Sequence, residues 1–216
     1  MQSNPSTSYK HLFGPVPSRR FGRSLGVDLV PFKVCSLDCG FCQLGRTAQT
    51  TLERREYVPI RDVTDELARW LDSGGTADYI TLSGSGEPTL HSRFGEALDF
   101  IRRHTSIPSL LLTNSSLFHV EEVRKDAARA DVVKISLSAW DQASFERINH
   151  PAGGLTFQKF LEGQKAFRAV FRGKLLVEVF LVKGVNSDPR DVAKIAALAA
   201  EALPDGIHLN TATRPA

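Results

Sequence analysis

Sulfur is scarce in this 216-residue chain: there is one methionine, and the three cysteines all fall between residues 35 and 42. An odd number of cysteines in one short run makes a poor disulfide framework, and a metal or redox site explains the clustering better. No apolar run approaches the roughly 18 residues needed to cross a bilayer, which argues against a membrane protein. Residues 1–9 are polar and lack the apolar stretch of a secretory signal. A disordered tail over residues 1–10 and a soluble, cytoplasmic protein are therefore expected. Excess charge is also small. Lys and Arg number 27 against 24 Asp and Glu, and the net charge of +3 is too low to argue for a nucleic-acid partner. Repeats and low-complexity linkers are absent. With 42% hydrophobic and 24% charged residues the balance is that of a globular chain, and residues 11–216 suit one domain with its own core.

Apolar β-branched runs alternate with amphipathic stretches. Strands are expected at Leu25–Val30, Tyr79–Ser83, Ser109–Asn114, Val132–Ser138, Leu175–Val182 and Ile207–Asn210. Between them, helical spacing connects Val63, Leu67, Trp70 and Leu71 behind an N-cap at Asp62. Further apolar stripes are Phe94, Leu98 and Ile101; Val120, Val123 and Ala127; and Phe157, Phe160, Leu161 and Gln164. The last helix has the best start signal, Asp188 followed by Pro189, with Val192, Ile195 and Ala199 behind it. Such alternation predicts an α/β fold with a parallel sheet and right-handed crossovers, either an incomplete barrel or an open doubly wound sheet. In both, the site belongs at the carboxyl ends of the strands.

Several expected strands carry a polar face at period two: Thr81 and Ser83; Lys134, Ser136 and Ser138; His208 and Asn210; and Glu178 among apolar neighbours. Strands of a covered parallel sheet normally read as continuous apolar runs. Converging polar faces favour a barrel with a wet interior over edge strands facing water.

Directly after the first strand stands Cys35-Ser36-Leu37-Asp38-Cys39-Gly40-Phe41-Cys42, a C-x3-C-x2-C run. Thiolates are the usual ligands of iron–sulfur clusters, and an electron-transfer cubane uses four. With three cysteines in all, one iron of a cubane is left open for a substrate or cofactor. Structural zinc wants four ligands, and none of the six histidines forms a local pair or lies near the run. The cluster is the stronger reading over zinc or three ordinary cysteines.

This run, with Phe41 before its third cysteine, resembles the signature of the radical S-adenosylmethionine superfamily. The resemblance implies a partial (β/α)6 barrel of parallel strands, open on one side. It implies a [4Fe–4S] cluster on Cys35, Cys39 and Cys42 whose open iron is chelated by the methionine part of S-adenosylmethionine. It also implies reductive cleavage to methionine and a 5′-deoxyadenosyl radical that takes hydrogen from a substrate, fed by an external flavodoxin- or ferredoxin-like electron donor. In the same terms, Ser83-Gly84-Ser85-Gly86-Glu87-Pro88 is similar to the superfamily's Gly-Gly-Glu-Pro loop, with Ser85 in place of its first glycine. Leu112-Thr113-Asn114-Ser115 is similar to its Thr-Asn-Gly. Ser136 matches a position in a strand end where Ser138 replaces a frequent aspartate, and Leu181–Asn186 resembles the segment flanking the adenine. Phe41, Gly86, Glu87, Asn114 and Ser136 are thereby candidate cofactor contacts. From the residues alone, the Gly84–Pro88 loop is equally a common turn, and Asn114 with Ser115 equally a turn cap.

Phe13–Gly26, Arg147-Ile148-Asn149-His150-Pro151 and Leu209–Pro215 resemble a group of iron–sulfur oxidoreductases related to the enzymes that build the wyosine base of transfer RNA. The substrate is left open among a small molecule, a partner protein and tRNA. A non-catalytic electron carrier or structural metal module is the rival class. Arg19, Arg20 and Arg23 would suit a bound carboxylate or phosphate, or else be solvated or paired with Glu53 and Glu56.

Overall fold

The computed structural model describes residues 9–211. Residues 1–8 of the expected tail and 212–215 of the Leu209–Pro215 segment lie outside them. Tyr9 and Lys10 are placed: Tyr9 packs against the core, and the Lys10 N–H donates to Glu66 at 2.9 Å.

One seven-stranded sheet organises the chain, in the order β1 (Leu12–Ser18), β2 (Gly22–Asp28), β3 (Tyr79–Ser83), β4 (Ser109–Leu112), β5 (Val132–Ser136), β6 (Lys174–Leu181) and β7 (Gly206–Thr211). From β2 to β7 every pairing is parallel. The strand order follows the chain order, as right-handed crossovers stacked in one direction require, and the sheet curls into an open half-barrel. The six expected strands are all there. The seventh, β1, is an addition: it pairs antiparallel with β2 at the sheet edge. Its Pro15 and Pro17 read as breakers in a sequence, yet an edge strand needs no N–H on its free side. Gly26 of β2 leaves the room in which the Phe13 ring lies; a Cβ there would meet the ring at 2.0 Å.

The helices are α1 (Ile60–Asp72), α2 (Phe94–His104), α3 (Glu121–Ala127), α4 (Gln142–Asn149), α5 (Phe157–Val170) and α6 (Pro189–Glu201). Asp188 caps α6 with Pro189 at its first position, as expected. The N-cap of α1 is Pro59 rather than Asp62, which sits inside the first turn where an acid complements the helix dipole. Helix α4 was hidden in the sequence because it has only two turns; its start is fixed locally by a capping box between Asp141 and Ser144.

Alternation along the strands sorts the side chains. Leu25, Val27, Ile80, Leu82, Leu111, Val133, Ile135, Val177 and Val179 are buried in the main core between sheet and helices. The opposite, concave face carries a separate small cluster: Leu110, Val132 and Leu176 are buried there against Phe21, Tyr79 and Leu112. Phe21 comes from the turn between β1 and β2. It meets Tyr79 edge-on at 5.5 Å and His208 of β7 at 6.0 Å, while the Arg20 guanidinium donates to the Leu209 carbonyl. The hairpin turn thus reaches from one sheet edge towards the other and closes the amino-terminal mouth of the half-barrel. Above that floor the concave face is polar, with Lys134 and Glu178 joined at 2.7 Å and Thr81 bonded to Ser24.

Candidate functional site

Residues 29–59 form the long connection from β2 to α1, and the cysteine run lies at its start, at the carboxyl end of the sheet. The Gly84–Pro88 loop leaves β3 at the same edge, and Asn114 leaves β4. Cys35, Cys39, Cys42, Gly84, Gly86, Glu87, Asn114, Ser136, Lys134 and Glu178 line one cavity of about 460 Å³. The loops expected to share a site therefore do so.

Main-chain contacts hold the cysteine loop in place. The Glu87 N–H donates to the Val34 carbonyl at 3.0 Å, and Lys33 N–H to the Ser85 carbonyl at 2.8 Å. Gly86 lies so close that a Cβ would meet the Val34 oxygen at 1.9 Å. The glycine of Gly-Glu-Pro is thus demanded by the approach of two loops within the protein itself. Gly86→Ala is expected to push the loops apart and cut iron retention at least severalfold after anaerobic reconstitution, measured as iron per chain. Full iron content in that variant would show that the contact is dispensable.

Glu87 is buried at 2% exposure. One carboxylate oxygen accepts from the Thr89 N–H (3.0 Å), the Thr89 hydroxyl (2.6 Å) and the Thr113 hydroxyl (2.6 Å); the other accepts from the Asn114 N–H (2.7 Å). Burial raises its pKa, opposed by the donors from Thr113, Thr89 and Asn114. The carboxylate borders the cavity and binds the ends of β3 and β4 together. Asn114 is committed in the same way: its amide donates to the Ser36 hydroxyl at 3.0 Å and to Cys35 Sγ at 3.6 Å, and its Oδ1 accepts from Ser116 N–H. Ser136 lines the cavity directly. Ser138 is buried, its hydroxyl accepting from Phe180 N–H, and serves the β5–β6 joint.

Phe41 stacks on Phe180 at 4.4 Å and, with Val182, Gly184, Val185 and Arg147, borders a second cleft of about 430 Å³. Asn186 lies buried beneath that segment and bonds Val182, Phe180 and Ser138, which makes it a turn staple. Arg19, Arg20 and Arg23 stand at the other end of the sheet. Arg23 bonds Thr76, not Glu53 or Glu56, whose ion pairs are with Arg55 and Arg93.

The donor chemistry tests what the cysteines suit. Burial, with the Glu87 charge second, pushes the Cys35 thiol up to about 11. Burial pushes the Cys39 thiol up to about 12, countered in part by the Asn149 amide. Thiols so reluctant to ionise become thiolates only against a strong cationic centre. Among the described residues no three His, Cys, Asp or Glu side chains are grouped to hold a single ion. Three thiols spread around one roomy cavity fit a multi-iron group, with donors at each sulfur: Asn114 at Cys35, Asn149 at Cys39 (3.2 Å) and Lys33 at Cys42 (3.3 Å). The donors Asn149 and Lys33 escaped assignment in the sequence. Asn149 lies more than a hundred residues from the sulfur it meets, and Lys33 looks like any surface lysine.

The sequence pattern of the Radical SAM superfamily matches residues 29–199, from the end of β2 through α6. This chain belongs to that superfamily. Among curated relatives, a UPF0026 protein of Methanocaldococcus jannaschii is 37% identical over 94% of this chain and 64% of its own length. A UPF0026 protein of Synechocystis is 34% identical over 97% of the chain and 78% of its own length. A longer Brachyspira hyodysenteriae protein named GTPase Obg is 38% identical, covering 95% of this chain and 30% of that protein. The chain thus spans less than two thirds of the length of the Brachyspira and Methanocaldococcus relatives. Solved structures share the fold: TYW1 with a lysine–pyruvate adduct bound has a TM-score of 0.66 at 18% identity, covering 89% of this chain and 65% of that one. The S-adenosylmethionine-bound Streptococcus suis SuiB has 0.64 at 19%, covering 88% and 41%. Membership of this superfamily supports an enzyme with radical SAM chemistry in general terms. Among the described residues no helix is long and apolar enough to cross a membrane.

Proposed function

We propose that this protein carries a [4Fe–4S] cluster on Cys35, Cys39 and Cys42 and uses it to cleave S-adenosylmethionine to a 5′-deoxyadenosyl radical, which takes a hydrogen atom from a substrate in the half-barrel. The observation that carries this reading is the single cavity shared by the three cysteines, the Gly84–Glu87 loop, Asn114 and Ser136. When bound, the cluster supplies the electron and the cofactor supplies the radical. The residues do the rest. The three thiols leave one iron open, the Gly84–Glu87 backbone fixes the cysteine loop, and the half-barrel wall limits water.

The Lys134–Glu178 pair, 14% and 16% exposed above the apolar floor, supports a substrate with polar groups. A small molecule, a side chain of a partner protein and a tRNA base all satisfy that condition, and the net charge of +3 favours none of them. Phe32 and Leu44, exposed beside the cysteine loop, support docking of a flavodoxin- or ferredoxin-like donor in the cytoplasm.

The test is spectroscopic. Anaerobically reconstituted, dithionite-reduced protein is expected to show a changed electron paramagnetic resonance spectrum on adding S-adenosylmethionine, and to form 5′-deoxyadenosine. An intact cluster that neither responds to the cofactor nor yields 5′-deoxyadenosine would overturn the reading and leave an electron carrier in its place.

A further inference from the structure

Arg147-Ile148-Asn149-His150-Pro151 closes helix α4 and lies directly against the cysteine loop. Its main chain does the fastening. The Asn149 carbonyl accepts from Asp38 N–H at 2.9 Å, the Ile148 carbonyl accepts from Gly40 N–H at 2.9 Å, and Ala152 N–H donates to the Ser36 carbonyl at 2.9 Å. The His150 ring adds a bond from Nδ1 to the Asp38 carbonyl at 2.9 Å. None of these needs the Asn149 side chain.

That side chain is 6% exposed. Among the described residues its amide makes one hydrogen bond, from Nδ2 to Cys39 Sγ at 3.2 Å. Burying a carboxamide costs free energy unless its polar atoms are used. The other two sulfur donors have additional partners: Asn114 bonds Ser36, and Lys33 bonds the Gly45 carbonyl. Asn149 alone among the three directs its amide at a sulfur and nowhere else.

We infer that Asn149 is a positioning residue for the cluster: its amide donates an N–H···S bond to the Cys39 ligand and raises the reduction potential of the centre. The inference rests on the cluster reading above. One-electron reduction adds a negative charge that is shared by the cluster and its thiolates. A donor aimed at a ligand sulfur stabilises that charge more than it stabilises the oxidised state. Its loss makes the centre harder to reduce, with no change in ligand number.

Asn149→Asp keeps the size and replaces the donor by an acceptor charge; Asn149→Leu keeps the bulk and removes the donor. Both are reconstituted anaerobically, matched for iron per chain, and titrated potentiometrically without substrate. The expected result is a more negative midpoint in both, larger for Asp. At fixed potential the reduced-to-oxidised ratio in Asn149→Leu falls roughly tenfold, which is about 59 mV for a one-electron couple. Wild-type midpoints in both variants at full iron content would overturn the inference and make the amide a filler of space. If the variants lose iron, wild-type protein with 15N-labelled asparagine, reduced in D2O, decides by electron–nuclear double resonance. An asparagine-derived coupling at the cluster that persists in Asn114→Ala assigns the bond to Asn149; no coupling, or one that disappears in Asn114→Ala, overturns it. Wild-type protein that assembles no cluster would instead overturn the function proposed above, so the two failures are distinct.

Discussion

Alanine at Cys35, Cys39 or Cys42 is expected to reduce iron from about four atoms per chain, the count of a cubane, to near zero, and to abolish 5′-deoxyadenosine formation. The reason lies in the ligand count. No fourth cysteine exists anywhere in the chain, so no thiol can substitute for a lost one. Burial also pushes the Cys35 and Cys39 thiols up, so their ionisation is favoured by a bound cationic centre. Removing one ligand weakens the hold of the other two on that centre. Iron and sulfide analysis with absorbance after anaerobic reconstitution provides the check. A single-cysteine variant that retained the wild-type cluster would refute the assignment of that residue as a ligand.

The second large effect concerns Glu87, which is expected to favour cofactor binding directly or through its neighbours. Its carboxylate also accepts four hydrogen bonds from Thr89, Thr113 and Asn114 while buried. Truncation to alanine leaves the Thr89 and Asn114 N–H groups without an acceptor. Each buried donor so abandoned costs about 1–3 kcal/mol, so the pair costs roughly 2–6 kcal/mol. For a chain of this size that is a fall in the thermal midpoint on the order of 10 °C. Affinity for S-adenosylmethionine should also fall, because Asn114 and the Gly84–Pro88 loop lose their registration. Glu87→Gln, which keeps one acceptor oxygen, should fall between wild type and alanine in both measurements. A purely cofactor-contacting glutamate would lower affinity and leave the midpoint of the cofactor-free protein where it was. An unchanged midpoint in Glu87→Ala would therefore show that the carboxylate does not organise this edge of the sheet.

The parallel order of β2 to β7 was legible because its causes are local. β-branched runs such as Val132–Ile135 and Leu175–Val179 alternate with helices that have their own start signals, as at Asp188-Pro189. Period-two polarity at Lys134, Ser136 and Glu178 was likewise legible as a wet concave face, since strand geometry sends alternate side chains to opposite sides. Strand β1 was not, because its prolines are tolerated only through its position at a sheet edge. Helix α4 was not, because eight residues give too little periodicity to see.

The sequence by itself determined three clustered cysteines with no fourth, and the superfamily to which the chain belongs. Their spacing is a property of one contiguous loop, and it needs no distant residue to be read. Tertiary structure alone decided what surrounds those cysteines. It set Glu87 between two strands and showed that Gly86 yields space to the Val34 carbonyl. It turned Arg19, Arg20 and Arg23 away from the site, to the far end of the sheet. It also brought Asn149 to the sulfur of Cys39 across 110 positions of the chain. Contacts of that kind depend on how crossover helices stack on a curled sheet, and burial and hydrogen-bond geometry exist only once the chain has closed on itself.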